Sequence, residues 1–247
     1  MGFPELLAFD VLAEALFEVN EQLEMPDVAF YAELARRADG VVAELGVGDG
    51  RVARHALPDI GVDGAGRALE QCRRRTGDRV RLIEADLAEY RLAEPAALSY
   101  AALNTFNHIA DREHLRAALR NVREQTRPGG LLAFDVALPD PAKLRARDMV
   151  VVQRFASPTW RWEDATEVVD PMDGLVHLHL RLERLGERGE VLQRVHSPAM
   201  PFRFLWPDDV ADDLRDTGWR LLDTWGDFRR APLFAGGRTG VFLAQGR

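Results

Sequence analysis

The chain has 247 residues, a net charge of −8 and 47% hydrophobic residues, which is material for one large domain or a domain with an insertion. The acidic balance argues against a nucleic-acid substrate, which calls for a basic face. No uninterrupted apolar run approaches membrane-spanning length.

Residues 5–24 carry apolar residues at helical spacing, with acids on the other face. Pro26 and Asp27 open a second helix, 28–38, with Asp27 as its N-cap. From 41 to 136 strands and helices alternate, which predicts a doubly wound α/β fold with a parallel sheet. Strands are expected at 41–44, 60–63, 80–86, 98–104 and 131–136, with Pro128-Gly129-Gly130 as a turn. Helices are expected at 49–55, 66–75 and 112–125. From 149 to 205 the apolar residues alternate with period two, which predicts an antiparallel β region inserted after the fifth strand. Gly186–Gly189 is a hairpin signal. Pro207–Thr217 reads as a short acidic helix, and 219–227 and 239–244 as the last two strands. The resulting division is a helical cap at 1–40, a core at 41–148 and 207–247, and the insertion at 149–206.

The stretch Val41–Arg51 is the most informative. An apolar run stops at Glu44, and Gly46, Gly48 and Gly50 then alternate in a turn where a ligand can lie against bare backbone. A helix following from Asp49 would point its amides at that ligand. The spacing E-x-G-x-G-x-G differs from the G-x-G-x-x-G of a dinucleotide fold. Two more acids stand at strand ends. Asp63, after Ile60-Gly61-Val62, is placed to accept both hydroxyls of a ribose. Asp86 is placed to accept from an exocyclic adenine amine, with Leu87 packing on the ring. Three acids at successive strand ends point to a nucleoside.

With these blocks the chain resembles the class I S-adenosylmethionine-dependent methyltransferases. The resemblance rests on ELGVGDG at 44–50, GVD at 61–63, EADL at 84–87, NTFNHI at 104–109 and RPGGLLAFDV at 127–136. It extends to Asp27-Val28-Ala29-Phe30-Tyr31, which looks like the D-x-x-F-Y lead-in of a small-molecule branch, and to Trp225-Gly226-Asp227-Phe228. It is similar, more loosely, to the sugar N-methyltransferases of antibiotic pathways. The resemblance implies a Rossmann-like seven-stranded sheet whose last two strands form an antiparallel edge. It implies S-adenosylmethionine as cofactor, S-adenosylhomocysteine as product, and a methyl group passed to nitrogen or oxygen of a small molecule. It departs from the pattern at Asp49, where a small hydroxyl residue is usual, at Gly64-Ala65-Gly66, and at Leu98-Ser99-Tyr100, which lacks an opening aspartate.

The resemblance also assigns roles after the fourth strand. Backbone carbonyls at Asn104 would accept from the methionine ammonium, and the side chains of Asn107 and His108 would face the methyl group. His108 is the candidate base, since imidazole titrates near neutral pH; the alternatives are a cap on the helix starting near Asp111 or packing under the fourth strand. Arg51 would pair with the methionine carboxylate or lie on a solvated helix surface. Tyr31 would cover the sulfonium or fill the core.

In the insertion, Trp160, Trp162, Phe204 and Trp206 supply apolar area, and Arg154, Arg194 and Arg203 supply charge. Arg154, Trp162 and Arg203 are the candidate acceptor-binding residues. Such a set fits a substrate lid or a homodimer face, and the sequence leaves both open. If the 186–189 turn sets the register, His179 pairs with His196 beside His177; their strand's apolar face is the opposite one, and no metal is expected. Cys72 is the only cysteine, so no intrachain disulfide forms. The N-terminus shows no basic region before an apolar core, and the expectation is a reducing, cytoplasmic compartment. Two other readings remain: a dinucleotide-dependent oxidoreductase on the same sheet, and a non-catalytic interaction protein that keeps the cofactor fold.

Overall fold

A computed structural model describes residues 3–23, 25–145, 149–234 and 236–247, and within these the side chains other than those of 3–11, 153 and 154. The chain divides into two compact units, one made of residues 1–24 and 141–203, the other of 25–140 and 204–247. The N-terminal region expected as a single helical cap is therefore shared: its first helix belongs to one unit and its second to the other.

The second unit holds a seven-stranded sheet. Its strands are β1 (Val42–Leu45), β2 (Ile60–Asp63), β3 (Arg81–Glu84), β4 (Ala96–Ala101), β5 (Thr126–Ala137), β11 (Trp219–Trp225) and β12 (Thr239–Gly246), in the order β11-β12-β5-β4-β1-β2-β3. β1 to β5 pair in parallel, while β12 is antiparallel to both β5 and β11. β1 and β4 are buried along their whole length, as strands covered on both faces must be. Helix α5 (Arg112–Glu124) buries Leu115, Ala118, Leu119 and Val122, the spacing of one helical face. Asp111 caps it by accepting the His114 amide at 2.7 Å. Helix α4 (Gly66–Thr76) follows β2, and α7 (Pro207–Asp216) precedes β11.

Three local expectations are revised. Helix α2 spans Pro26–Arg37 with Met25 as N-cap, so Asp27 lies inside the first turn. The helix expected from Asp49 shrinks to α3, the four residues Ala53–Ala56, too short for a useful dipole. Pro128–Gly130 lies within β5, where the pairing with β4 slips between Ala96 and Leu98; it is an irregularity of the strand rather than a turn before it.

The first unit joins α1 (Phe3–Gln22) to an antiparallel sheet. Strands β6 (Val150–Ala156), β7 (Trp160–Asp170), β8 (Leu175–Leu185) and β10 (Met200–Arg203) run in the order β10-β8-β7-β6, and β9 (Val191–His196) also pairs β8. Val176, Leu178, Leu180 and Leu182 are buried, so β8 turns the face expected to be apolar inward. Leu12, Ala15 and Val19 of α1 pack with Trp160, Leu182 and Val195. His196 pairs with Arg181 rather than with His179. The loop is one residue longer than the glycine signal suggests, since Leu185 faces Val191, and a further irregularity follows beside Arg184. Among the described residues no group of three or more His, Cys, Asp or Glu could hold a metal ion, and no helix is long and apolar enough to cross a membrane.

Candidate active site

In the seven-stranded sheet β1 has β2 on one side and β4 on the other. This is where strand order reverses, and open α/β sheets bind ligands beyond the carboxyl ends of such strands. The loops after β1, β2, β3 and β4 therefore share one crevice.

The glycine turn forms its floor. Gly46 takes φ +65°, and a Cβ there would come within 2.5 Å of the Thr105 side chain. Gly48 takes φ +54°, and the space beside it is open, with only the Gly46 carbonyl 4.0 Å away. The two glycines serve different ends: Gly46 lets the β1 and β4 loops touch, and Gly48 leaves bare backbone toward the crevice.

Asp63 ties this turn to β2. Its Oδ2 accepts the Gly48 amide and its Oδ1 the Ala65 amide, each at 2.8 Å. Burial raises its pKa, partly offset by the backbone hydrogen bonds from Ala65, Gly48 and Gly64. Each carboxylate oxygen keeps acceptor capacity beyond these amides. At the next strand end, Asp86 is half exposed and shared with His114, whose Nε2 lies 3.0 Å from the carboxylate. His114 stands two residues into α5, 28 residues away in sequence, and nothing local announces it. Leu87 packs in the core with Tyr90 and Leu115 rather than lying open for a ring.

A buried polar layer lies under the crevice. Glu44 is 2% exposed and accepts the Tyr100 hydroxyl at 2.8 Å. Burial pushes its pKa up to about 8, although Tyr100 and Arg51 pull it down. Glu44 thus keeps its proton at neutral pH and supports the turn from below. Arg51 is paired with Asp27 through both terminal nitrogens, Nη1 to Oδ1 at 3.1 Å and Nη2 to Oδ2. The structure gives Arg51 a carboxylate within the chain instead of an exposed place on the turn. Tyr31 is fully enclosed; its ring stacks on Tyr100 at 5.1 Å, and its hydroxyl lies 2.7 Å from Asp135 Oδ1 and 3.1 Å from the Ala101 carbonyl. It fills the layer below the site rather than standing over it.

The loop after β4 begins with Leu103 and Asn104 in the left-handed region, φ +54° and +61°. That costs non-glycine residues roughly 1–2 kcal/mol each. Asn104 caps a short 3₁₀ turn, Thr105–His108, and its carbonyl accepts the Asn107 amide at 2.9 Å. Asn107 is fully buried, its side chain donating to the Ala137 carbonyl and accepting the Ala137 amide, so it builds the loop rather than lining it. His108 is exposed at the end of this turn. The cap of α5 is Asp111, which leaves His108 out of that role.

In the other unit, Trp162 donates its indole N–H to Asp164 at 2.7 Å, and Arg203 reaches the Asp173 carbonyl at 2.9 Å and its carboxylate at 3.2 Å. Arg154 lies on β6, with its side chain outside the described residues.

Residues 42–130 match the family model described as a methyltransferase domain. No curated protein matches the chain. Among solved structures, the chain is similar to the CcbJ methyltransferase of Streptomyces caelestis, at a TM-score of 0.76 and 22% identity over 92% of this chain and 98% of that one. It is similar to an S-adenosylmethionine-dependent methyltransferase of Clostridium acetobutylicum, at 0.73 and 16% over 89% of each. It is also similar to CalS10, an amino pentose methyltransferase of Micromonospora echinaspora, at 0.68 and 15% over 90% of each. At these identities the likeness is one of fold. Residues 42–130 thus match a methyltransferase domain, and nearly the whole chain shares the Rossmann-like fold of these solved methyltransferase structures.

Proposed function

We propose that the chain transfers a methyl group from S-adenosylmethionine to an amine or hydroxyl of a small-molecule acceptor. The carrying observation is the cradle of open backbone at Gly48 beside the Asp63 carboxylate, with Asp86 at the next strand end. It suits a nucleoside with a short charged tail. Asp63 would take the ribose hydroxyls on the lone pairs that its two amides leave, and Asp86 the adenine amine. The glycine spacing and the family match at 42–130 favour this over a dinucleotide.

When bound, the cofactor supplies an already activated methyl on a sulfonium. What remains for the chain is alignment, exclusion of water and removal of a proton. His108, at the exposed end of the β4 loop, would take the acceptor's proton onto its imidazole. The CalS10 likeness makes an amino sugar a reasonable first acceptor class.

The test is calorimetric titration of S-adenosylmethionine, S-adenosylhomocysteine and a nicotinamide dinucleotide into wild type and Asp63→Ala. The expected result is micromolar binding of the first two, about −8 kcal/mol, weakened at least tenfold by the substitution. Binding of the dinucleotide alone, or of none, overturns the proposal.

A further inference from the structure

The end of β5 holds the β4 loop through hydrogen bonds that nothing local in that loop explains. Asp135 is 3% exposed. Its Oδ1 accepts the Leu103 amide at 3.0 Å and the Tyr31 hydroxyl at 2.7 Å, and its Oδ2 accepts the Asn104 amide at 3.0 Å. The two amides belong to the two consecutive left-handed residues. Such a pair persists only where its surroundings over-determine it. Two residues on, Ala137 exchanges two hydrogen bonds with the Asn107 side chain. A strand enclosed on both faces is otherwise the place for an apolar residue, and burying a carboxylate there is costly.

We propose that Asp135 is a positioning residue of the methyl-transfer site: it holds Leu103 and Asn104 in their left-handed turn and thereby sets the Asn104 carbonyl and the 105–108 turn that carries His108. This rests on the methyltransferase reading above. Tyr31 completes the clamp from α2. Burial pushes the Asp135 carboxyl up to about 6, opposed by the Tyr31 hydroxyl and the two amides and reinforced by Asp27. The ionisable groups facing it are Tyr31 and Asp27 of α2, the latter already paired with Arg51.

The experiment measures amide hydrogen exchange over residues 101–109 in the ligand-free protein, and S-adenosylhomocysteine affinity by calorimetry, for wild type, Asp135→Asn and Tyr31→Phe. In Asp135→Asn at pH 7, exchange at Leu103 and Asn104 should rise at least tenfold and affinity fall at least tenfold. Tyr31→Phe should show the same effects at about threefold. Unchanged exchange and affinity in Asp135→Asn overturn the proposal. Should that variant not fold, unchanged exchange and affinity in Tyr31→Phe overturn it alone. The exchange arms contain no ligand, so a failure of wild type to bind S-adenosylhomocysteine counts against the methyltransferase reading and not against the clamp.

Discussion

Arg51, at the end of the glycine turn, gives both terminal guanidinium nitrogens to the carboxylate of Asp27, 24 residues earlier, and their side chains are 5% and 0% exposed. One fully desolvated ion pair thus ties α2 to the loop that forms the floor of the site.

Removing one partner leaves the other buried and unpaired. Arg51→Ala or Asp27→Ala should each cost about 3–5 kcal/mol, read as a fall of about 6–20 °C in melting temperature. The double substitution Asp27→Ala/Arg51→Ala should cost less than the sum, because no orphan charge remains. Additive losses would mean that the pair contributes nothing as a pair.

Glu44 makes stability depend on pH in an uncommon direction. Its folded pKa is about 8, against about 4.5 for an ordinary glutamate. Between those values the folded chain holds a proton that the unfolded chain has lost. The contribution of Glu44 to stability is therefore intact below about 4.5 and is lost as pH rises toward about 8. Glu44→Gln should remove this dependence and be the more stable form at pH 8, by a few kcal/mol. Denaturant melts at pH 6 and pH 8 decide it; identical pH dependence in the two proteins refutes the assignment.

The parts of this site that the sequence made legible are those where chemistry is local. Gly46 and Gly48 need left-handed backbone within a five-residue block, and Asp63 sits at a strand end where its carboxylate caps that block. The alternation in 175–183 foretold the buried face of β8. What stayed hidden depends on pairing across distance. Tyr31 meets Asp135 over 104 residues, and His114 meets Asp86 over 28, with no periodicity marking either. Arg51 and Tyr31 have the composition of ligand contacts, yet the fold turns both inward to partners that only the tertiary structure supplies. His196 slipped two places because turn signals fix a loop's position better than its length, and the irregularity beside Arg184 left no mark in the sequence.

Asp86 and His114 separate recognition from support. If Asp86 accepts the adenine amine, Asp86→Ala should weaken S-adenosylhomocysteine binding by about tenfold, the low end for one hydrogen bond to a charged group. His114→Ala leaves that carboxylate in place and removes only its neighbour, so the loss should stay within about threefold. The pair is about half exposed, and stability should change little in either variant. Equal losses of affinity would make the two residues one unit, and no loss in Asp86→Ala would remove it from the adenine site.

His108 carries the chemical step in this reading, and its test must isolate that step from binding. On an amino sugar or other amine that wild type methylates, His108→Ala should lower turnover at least a hundredfold, the usual contribution of a general base. Its affinity for S-adenosylhomocysteine should stay within about twofold, because no strand-end acid is touched. Wild-type turnover should fall on acidification, since only the neutral imidazole accepts a proton. Above the imidazole range wild type should level off, whereas the variant should keep rising with pH as the acceptor loses its own proton in solution. Full turnover by His108→Ala across the neutral range would show that the acceptor reaches the cofactor already deprotonated, and the chain's part in catalysis would reduce to alignment and exclusion of water.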